Sequence, residues 1–270
     1  MIAFSQWLAD AGRDTRQLLM WAIAALLLTA GVTITLFNHF YESPGASAGP
    51  AVSGAERARM EAVVRDYLLR HPEIIPEALH SLQDRQVGEM IQANREAIET
   101  PFEGAWAGAK TGDVVLVEFF DYACPYCKAS VADVKRLLAE DKGLKVVWRD
   151  FPVLGDDSRQ AAMASLSAAR QGKYAGFYNS MFQSGRPDRA NVVDAVRAAG
   201  MNEMQTGRDM NAPAFNTEIQ NNLELGRILG LNGTPSYVIG DQILNGAVGY
   251  NALKAAVAKA REGKQRQTGI

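Results

Sequence analysis

The stretch VVLVEFFDYACPYCKAS, residues 114–130, holds both cysteines of the 270-residue chain. Its first seven residues are almost all apolar and rich in β-branched and aromatic side chains, which predicts a strand covered on both faces, as in a sheet between layers of helices. Apolar residues then recur at helical spacing from Val131 to Leu138, which predicts a helix from about residue 125 to 140. The cysteines therefore lie where a buried strand turns into a helix.

The spacing of Cys124 and Cys127 at such a junction is typical of a redox-active pair. A bridge across so short a loop would restrict the unfolded chain little, so a purely stabilising disulfide is not expected. A structural zinc site usually takes four Cys or His ligands, and His39, His71 and His80 lie far upstream without site-like spacing. We therefore interpret the pair as a reversible dithiol–disulfide, with inert cysteines as the alternative, and expect no metal and no external cofactor.

The two cysteines are predicted to have different roles. Pro125 suits the first helical position, because its fixed φ fits the helix and its missing N–H would have no partner there. Cys124 then lies at the helix N-terminus, where free N–H groups and the macrodipole favour a thiolate, so we expect Cys124 to be the nucleophile. Cys127 lies one turn further on and is expected to resolve the mixed disulfide.

One charged residue interrupts the apolar strand. Glu118 has apolar neighbours on both sides and precedes Cys124 by six positions. A carboxyl group held in an apolar sheet should have a raised pKa, and it would then be suited to relay the proton of Cys127. The alternative is an acid at a frayed strand end that faces water.

These residues carry a resemblance to a known group. The pattern E-x5-CPYC that begins at Glu118 resembles the thioredoxin superfamily and, more narrowly, the DsbA-like periplasmic disulfide oxidoreductases. The segment LKVVWRDFP (144–152) looks like the second strand of that group, and GTPSY (233–237) looks like its cis-proline loop. The long interval between them exceeds what a plain crossover needs and matches the helical insertion of the group. The resemblance implies an α/β thioredoxin fold over residues 105–270, with the insertion at about 153–230.

The resemblance also implies roles for further residues. Thr234 and Pro235 would lie against the cysteines and present backbone to a bound substrate chain, with the bond between them cis. Tyr126 stands where strongly oxidising DsbA proteins carry a His, so we expect a weaker oxidant. The implied partners are cysteine-containing periplasmic proteins and a membrane redox partner that resets the Cys124–Cys127 pair.

The C-terminal part carries two local patterns that agree with this fold. Short apolar runs on both sides of Gly240-Asp241 predict a β-hairpin. Apolar residues at helical spacing from Leu253 to Ala260 predict a terminal amphipathic helix.

The front of the chain predicts a membrane segment. Residues 18–37 form an uncharged run long enough to cross a bilayer, and we place a transmembrane anchor at 18–38. Arginines precede this run, and no Lys or Arg follows it before Arg57, which predicts a cytoplasmic N-terminus (1–17) and a catalytic part in the periplasm, outside the inner membrane. A signal peptide cleaved at the small residues 46–48 is the alternative. In both cases the cysteines reach a compartment where disulfides persist.

Between this segment and the catalytic domain, residues 39–55 predict a flexible linker rich in Pro, Gly, Ser and Ala. Over 56–104 two helices are predicted, the first stopped at Pro72 and the second beginning near Pro76. Their apolar stripes are Met60, Val63, Val64, Tyr67 and Leu68, and Leu79, Leu82, Val87, Met90, Ile91 and Ile98. Such helices either fold against their own catalytic domain or assemble protomers. The segment HPEIIPEAL (71–79) resembles the N-terminal region of ScsC-like members, where such helices assemble protomers, so we expect a dimer or trimer.

Charge and composition limit the remaining functions. A net charge of −2 without a basic cluster argues against nucleic-acid binding. The sequence therefore predicts a membrane-anchored, periplasm-facing thiol–disulfide oxidoreductase. An isomerase or reductase for wrongly paired or oxidised cysteines is the alternative among enzymes. A Cu(I) carrier is the alternative from another class, since thiolates suit that ion.

Overall fold

The computed structural model of the chain describes residues 53–268. This part divides into two compact units, one that ends at Pro72 and one that begins at Glu73. The predicted anchor (18–38), the cleavage site (46–48) and most of the predicted linker lie outside the described residues. Among residues 53–268, no helix combines the length and the apolar character that crossing a membrane requires.

The first unit contributes one described helix, α1 (Gly54–Arg70). It begins with a capping box, in which the Ser53 hydroxyl accepts the backbone N–H of Glu56 at 3.2 Å and the Glu56 carboxylate accepts that of Ser53 at 3.0 Å. It ends just before Pro72, as predicted. The predicted apolar stripe is helical, but most of it is exposed to solvent: Met60, Val63, Val64 and Tyr67 are each more than half exposed.

The second unit is a five-stranded sheet with helices on both faces. Its elements are α2 (Ile74–Glu99), β1 (Trp106–Gly108), β2 (Val114–Phe120), α3 (Pro125–Glu140), β3 (Leu144–Asp150), α4 (Asp156–Arg170), α5 (Tyr174–Ser184), α6 (Arg189–Ala198), α7 (Glu203–Asp209), α8 (Pro213–Ile228), β4 (Ser236–Ile239), β5 (Gln242–Asn245) and α9 (Tyr250–Thr268). The strand order is β1-β3-β2-β4-β5. β2 and β3 run parallel and are joined through α3, and the other neighbouring strands pair antiparallel.

The elements next to the cysteines were predictable from local patterns. The predicted strand at 114–120, the helix at 125–140 and the hairpin around Gly240-Asp241 are confirmed. The strand predicted over 144–152 is present as β3, which ends two residues earlier, at Asp150. The edge strand β1 is not predicted by the sequence, because three residues are too few to show an alternating pattern. It pairs antiparallel with β3, with Trp106 opposite Val147.

Alternate residues of β2 face opposite layers, as the pleat of a strand requires. Leu116 and Phe120 lie in an apolar cluster with residues of α3, α5 and α9. Val117 and Phe119 lie in a second cluster with residues of α2 and α8. The central strand is therefore buried on both sides, which is why it reads as a nearly continuous apolar run.

Helix α2 belongs to this second unit, although the sequence grouped residues 56–104 as a separate segment. Ile91 and Ile98 of its predicted stripe are buried against the sheet, whereas Leu79 and Leu82 are exposed. A helix of 26 residues is about 39 Å long, and a seven-residue strand spans about 23 Å. The helix therefore extends well beyond the sheet that its second half covers.

Arg149 of β3 binds the C-terminal end of α2 through hydrogen bonds. Its buried guanidinium pairs with Glu218 at 2.8 Å and donates to the backbone carbonyls of Ala97, Ile98 and Thr100. The last carbonyls of a helix have no partner within the helix. One side chain of β3 thus caps α2 and joins it to α8.

Asp150, the last residue of β3, forms hydrogen bonds with three helices of the insertion. Its carboxylate accepts the Ser165 hydroxyl at 2.5 Å and the Tyr174 hydroxyl at 3.1 Å, and its backbone carbonyl accepts the Asn222 amide at 3.1 Å. Burial raises the pKa of Asp150 to about 7. Helices α4, α5 and α8 are therefore all tied to the end of one strand.

Candidate active site

Cys124 and Cys127 lie at the N-terminal end of α3. Cys124 is the residue before the helix and Pro125 is the first helical residue, as predicted. Both cysteines are free and buried, whereas Tyr126 between them is 65% exposed. Cys124 therefore directly precedes the first helical turn, whose backbone N–H groups have no partner within the helix.

The loop before β4 lies against Cys124. The Cys124 thiol donates to the backbone carbonyl of Thr234 at 3.1 Å, and the Thr234–Pro235 peptide bond is cis. Two segments 110 residues apart in the chain thus meet at the reactive sulfur. The structure therefore places the Thr234 carbonyl at Cys124, while the substrate-docking role of Thr234 and Pro235 stays a prediction.

Cys127 has a different environment from Cys124. Its side chain is fully buried, and the backbone N–H of Asp121 points at its sulfur at 3.5 Å. Burial raises the pKa of Cys127 well above its usual range, and the negative charge of Glu118 adds to this effect, while the Asp121 N–H opposes it. A thiolate on Cys127 is therefore strongly disfavoured while Glu118 is ionised.

Glu118 is fully buried in the middle of the sheet, so the alternative of an acid at a frayed, water-facing strand end is wrong. Its neighbours across the two adjoining strands are Trp148 on β3 and Tyr237 on β4. Oε2 accepts the Trp148 indole N–H at 3.0 Å and the Tyr178 hydroxyl at 3.1 Å, and Oε1 accepts the Tyr237 hydroxyl at 3.4 Å. Burial raises the pKa of Glu118 to about 7, although the three donors partly offset this effect.

An aromatic shell surrounds this acid. Trp148 packs against Tyr174 and Tyr178, with ring centroids 5.4 and 5.0 Å apart. Tyr122 and Tyr178 each pack edge-on against Phe120, and their own ring centroids are 6.3 Å apart. These rings bury the Glu118 carboxyl away from water, which is why burial outweighs the three hydrogen-bond donors in setting its pKa.

Asp121 was not singled out from the sequence, because a polar residue after a strand usually marks only a turn. Its Oδ1 accepts the backbone N–H of Ala123 at 2.8 Å, and its Oδ2 accepts those of Val153 and Leu154 at 2.9 Å each. Val153 and Leu154 expose their apolar side chains. Asp121 therefore connects the turn that carries the cysteines to an exposed apolar loop, 153–154.

Within residues 53–268, no group of three or more His, Cys, Asp or Glu side chains is placed to hold a metal ion together. What the described site offers is two sulfurs, one buried acid and the hydroxyl, indole and backbone groups around them. This set is suited to thiol–disulfide exchange with proton transfer.

Comparison with known families gives two matches along the chain. Residues 115–258 match the family model described as a DSBA-like thioredoxin domain. Residues 56–87 match the model described as the N-terminal domain of the copper resistance protein ScsC. The two matches together span α1, part of α2 and nearly all of the sheet and its insertion.

Solved structures and a curated relative are similar to this chain. A thioredoxin-like oxidoreductase from Silicibacter pomeroyi is 38% identical, with a TM-score of 0.60, and the match covers 63% of this chain and 98% of that one. A linker-deletion variant of Proteus mirabilis ScsC is 30% identical, with a TM-score of 0.61, and the match covers 79% and 98%. Disulfide bond formation protein D of Bacillus subtilis is 23% identical over 58% of this chain and 77% of its own length. The chain spans only 24% of another relative, the Na⁺/H⁺ antiporter NhaA 3 of Salinispora tropica.

Proposed function

Because the chain belongs to the DSBA-like thioredoxin domain family, we propose that it is a thiol:disulfide oxidoreductase that exchanges disulfides with proteins through Cys124 and Cys127. One observation carries the proposal: the two cysteines begin the helix that follows the strand of a fully buried acid, Glu118, whose pKa burial raises to about 7 and whose charge acts on Cys127. A buried structural cysteine pair would not need an acid behind it, whereas proton transfer during exchange does.

The exchange proceeds in two steps. A substrate thiolate attacks Cys124 of the disulfide form, a substrate–Cys124 bond forms, and Cys127 leaves with the electron pair of the broken S–S bond. Glu118 gives its proton to the departing Cys127, whose environment disfavours a thiolate. A second substrate thiolate then attacks the substrate sulfur of the mixed disulfide and releases Cys124 as a thiolate, which the helix N-terminus stabilises. Two electrons pass from the substrate to the pair, and the reverse sequence reduces a substrate disulfide.

Substrate chains dock beside Cys124 in this proposal. The Thr234 carbonyl already accepts a hydrogen bond from the Cys124 thiol, and the backbone next to Pro235 is the surface available to an extended peptide. The exposed side chains of Val153 and Leu154 add an apolar contact. Cysteine-containing proteins with exposed apolar segments are the expected substrates.

A second candidate function, disulfide isomerisation, is favoured by the exposed apolar stripe of α1. We propose that this stripe assembles a dimer or trimer, since residues 56–87 are similar to the N-terminal domain of ScsC. Several linked active sites raise the effective concentration of cysteines around a misfolded chain. An oxidase needs one encounter with one reduced pair, so assembly favours isomerisation.

The proposed location is the periplasm, with residues 18–38 as a single-pass anchor and 1–17 in the cytoplasm. The uncharged run and the charge asymmetry around it support this topology. The full-length protein should remain in membranes after a carbonate wash, with its C-terminal part open to protease from outside. A soluble form that begins near residue 49 would instead indicate cleavage.

The reduction potential of the Cys124–Cys127 pair tests the proposed activity and its direction. The full-length protein is equilibrated with glutathione buffers, and its disulfide fraction is measured. An oxidising potential together with rapid oxidation of a reduced protein supports the oxidase, and preferential repair of a scrambled protein supports the isomerase. If the cysteine pair exchanges disulfides with neither the reduced nor the scrambled protein but binds Cu(I) tightly, the proposed function is wrong and the chain is a copper carrier.

A further inference from the structure

The peptide group between Phe120 and Asp121 has a fixed orientation. Its carbonyl, on Phe120, accepts the backbone N–H of Phe151 at 2.8 Å and so points towards the chain that continues β3. In a planar trans peptide the C=O and the N–H point in opposite directions. Because β2 lies between β3 and β4, the N–H of Asp121 points towards the side of β4.

On that side the regular pairing of β2 with β4 ends at Phe119. The same register would next bring the N–H of Asp121 to the carbonyl of Thr234. Each of these two groups is instead directed at a cysteine. The Asp121 N–H donates to the Cys127 sulfur at 3.5 Å, and the Thr234 carbonyl accepts the Cys124 thiol at 3.1 Å. The two sulfurs therefore take the donor and the acceptor of one strand hydrogen bond that the sheet does not make.

The other polar groups of Asp121 hold this N–H in place. The backbone carbonyl accepts the N–H of Cys124 at 3.1 Å. The carboxylate accepts the N–H of Ala123 at 2.8 Å and those of Val153 and Leu154 at 2.9 Å each. The whole residue is only 1% exposed, so these hydrogen bonds are shielded from water.

The N–H of Asp121 acts most strongly when Cys127 carries negative charge. A backbone N–H can only donate, and a hydrogen bond to an ionised acceptor is stronger than one to a neutral acceptor. The Cys127 sulfur gains such charge when it leaves the disulfide and when it attacks a mixed disulfide. Burial raises the pKa of the Cys127 thiol, and this N–H opposes that effect.

We propose that Asp121 is a positioning residue that directs its backbone N–H at the sulfur of Cys127 and thereby stabilises the charge on that sulfur during exchange. The proposal rests on the proposed function and deepens it. In resolution, the Cys127 thiol gives its proton to the Glu118 carboxylate, and its sulfur attacks Cys124 of the mixed disulfide. The new S–S bond forms while the substrate sulfur leaves with the electron pair of the broken bond. The N–H of Asp121 keeps its proton throughout.

A donor of this kind changes rates more than equilibria. Cys127 is a disulfide sulfur in the oxidised protein and a thiol in the reduced protein, and neither form carries a charge. The hydrogen bond from Asp121 is therefore strongest between these two states. Its loss should slow the step that Cys127 carries out and should leave the equilibrium with glutathione nearly unchanged.

The first experiment uses the reduced full-length chain in mild detergent and the chromogenic disulfide 5,5′-dithiobis(2-nitrobenzoate). Attack by Cys124 releases a first nitrothiolate, and resolution by Cys127 releases a second, so stopped-flow absorbance separates the two steps. Asparagine cannot accept all three N–H groups that the carboxylate holds, so the turn shifts. We expect Asp121→Asn to slow the second phase about tenfold, as the loss of one hydrogen bond to a charged group would. The first phase and the glutathione equilibrium should stay within about twofold of wild type.

Asp150→Asn is the matched control for this variant. It changes another buried carboxylate that accepts several hydrogen bonds, but these come from Ser165 and Tyr174 of the insertion. We expect it to lower stability and to leave both phases unchanged. A similar slowing of the second phase by Asp150→Asn would reduce the effect at Asp121 to general destabilisation and would overturn the proposal.

The second experiment observes the hydrogen bond itself. The chain contains a single Phe-Asp pair, Phe120-Asp121, so labelling with carbonyl-¹³C phenylalanine and ¹⁵N aspartate selects the Asp121 amide in an NMR spectrum of the full-length protein. Cys127→Ala removes the acceptor and should move the amide proton upfield, whereas Cys127→Ser keeps an acceptor and should leave it downfield. Cys124→Ala is the control and should leave the signal in place.

Several outcomes would overturn the role of Asp121. These are an amide signal that responds equally to the two alanine variants or to neither, an unchanged second phase in Asp121→Asn, or equal slowing of both phases. If Asp121→Asn does not fold, the amide measurement decides, since it leaves residue 121 unchanged. A wild type that never releases the second nitrothiolate would instead contradict the proposed function itself.

Discussion

The Oδ2 atom of Asp121 accepts the backbone N–H of Leu154 at 2.9 Å. Through this bond and its partners at Val153 and Ala123, one buried carboxylate holds the exposed apolar loop at a fixed position beside the cysteine turn. The backbone N–H of the same residue faces the sulfur of Cys127. Asp121 therefore contacts both the sulfur of Cys127 and the exposed apolar loop that we propose as part of the docking surface.

Asp121→Asn tests this connection. Both carboxylate oxygens of Asp121 accept backbone N–H groups, whereas asparagine keeps only one acceptor oxygen and turns an NH2 donor towards the remaining N–H. We therefore expect the free energy of unfolding to fall by about 2 kcal/mol. We also expect KM for a cysteine-containing peptide to rise more than KM for a small disulfide, because the apolar loop is no longer fixed. Denaturant titration and steady-state kinetics measure both. Asp157→Asn, which changes an exposed carboxylate, should stay within about 0.5 kcal/mol of wild type. Equal KM changes for the two substrates would contradict a docking role.

Glu118→Gln should change the pH dependence of stability. The pKa of Glu118 is raised from 4.5 to about 7 in the folded protein, so between these values the folded state binds more protons than the unfolded state. The stability that this group contributes is full below pH about 4.5 and is lost as the pH rises to about 7. Glutamine cannot ionise, so the variant should be more stable than wild type at pH 8 by about 3 kcal/mol, and slower in resolution. Parallel stability curves for the two proteins between pH 5 and 8 would contradict the assignment.

The sequence predicted the elements around the cysteines but not the contacts between them. The strand at 114–120 and the helix at 125–140 follow from local periodicity, and Glu118 stood out because a charge interrupted an apolar run. Its partners Trp148, Tyr178 and Tyr237 come from three separate elements, and no local pattern encodes their meeting. In the sequence, these three aromatic residues indicate only that their side chains belong to the hydrophobic core.

The N-terminal helices show the same limit. The stripe of α2 is continuous in the sequence, yet Ile91 is buried and Leu79 is exposed. Periodicity identifies the apolar face of a helix but not how far the sheet beneath it extends. Arg149 looked like one charge at the end of a strand, and only the fold shows that it caps α2.

The two cysteines should react at different rates with an alkylating reagent. Cys127 is fully buried, and burial raises its pKa, whereas Cys124 lies at the helix N-terminus. At pH 6, iodoacetamide should modify Cys124 at least about tenfold faster, as followed by mass spectrometry. Cys124→Ser should abolish turnover, and Cys127→Ser should trap mixed disulfides with substrates. Unfolding in denaturant is the control and should make the two rates equal. Equal rates in the folded protein would reverse the assignment of roles.

Tyr126→His should make the protein a stronger oxidant. Tyr126 is 65% exposed and lies between the cysteines, so a His there adds a donor and partial positive charge beside the thiolate and stabilises the reduced form. We expect the potential against glutathione to rise by about 30 mV, which corresponds to about 1.4 kcal/mol. Tyr126→Phe keeps the ring without the charge and should leave the potential unchanged. A lower or unchanged potential in the His variant would refute the role of this position.

The apolar stripe of α1 should assemble the protein, and this assembly separates the isomerase from the oxidase. A chain shortened to begin at residue 50 should be a dimer or trimer by light scattering. Val64 and Tyr67 are exposed in the single chain, and burying their apolar side chains between protomers would be favourable. Val64→Glu with Tyr67→Glu should give a monomer that still oxidises thiols and loses most of its activity on a scrambled protein. Ala62→Glu is the matched control, since at 100° per residue it lies on the opposite face of the helix and should change neither property. If the chain that begins at residue 50 is a monomer without any substitution, the argument for isomerisation fails and only the oxidase function remains proposed.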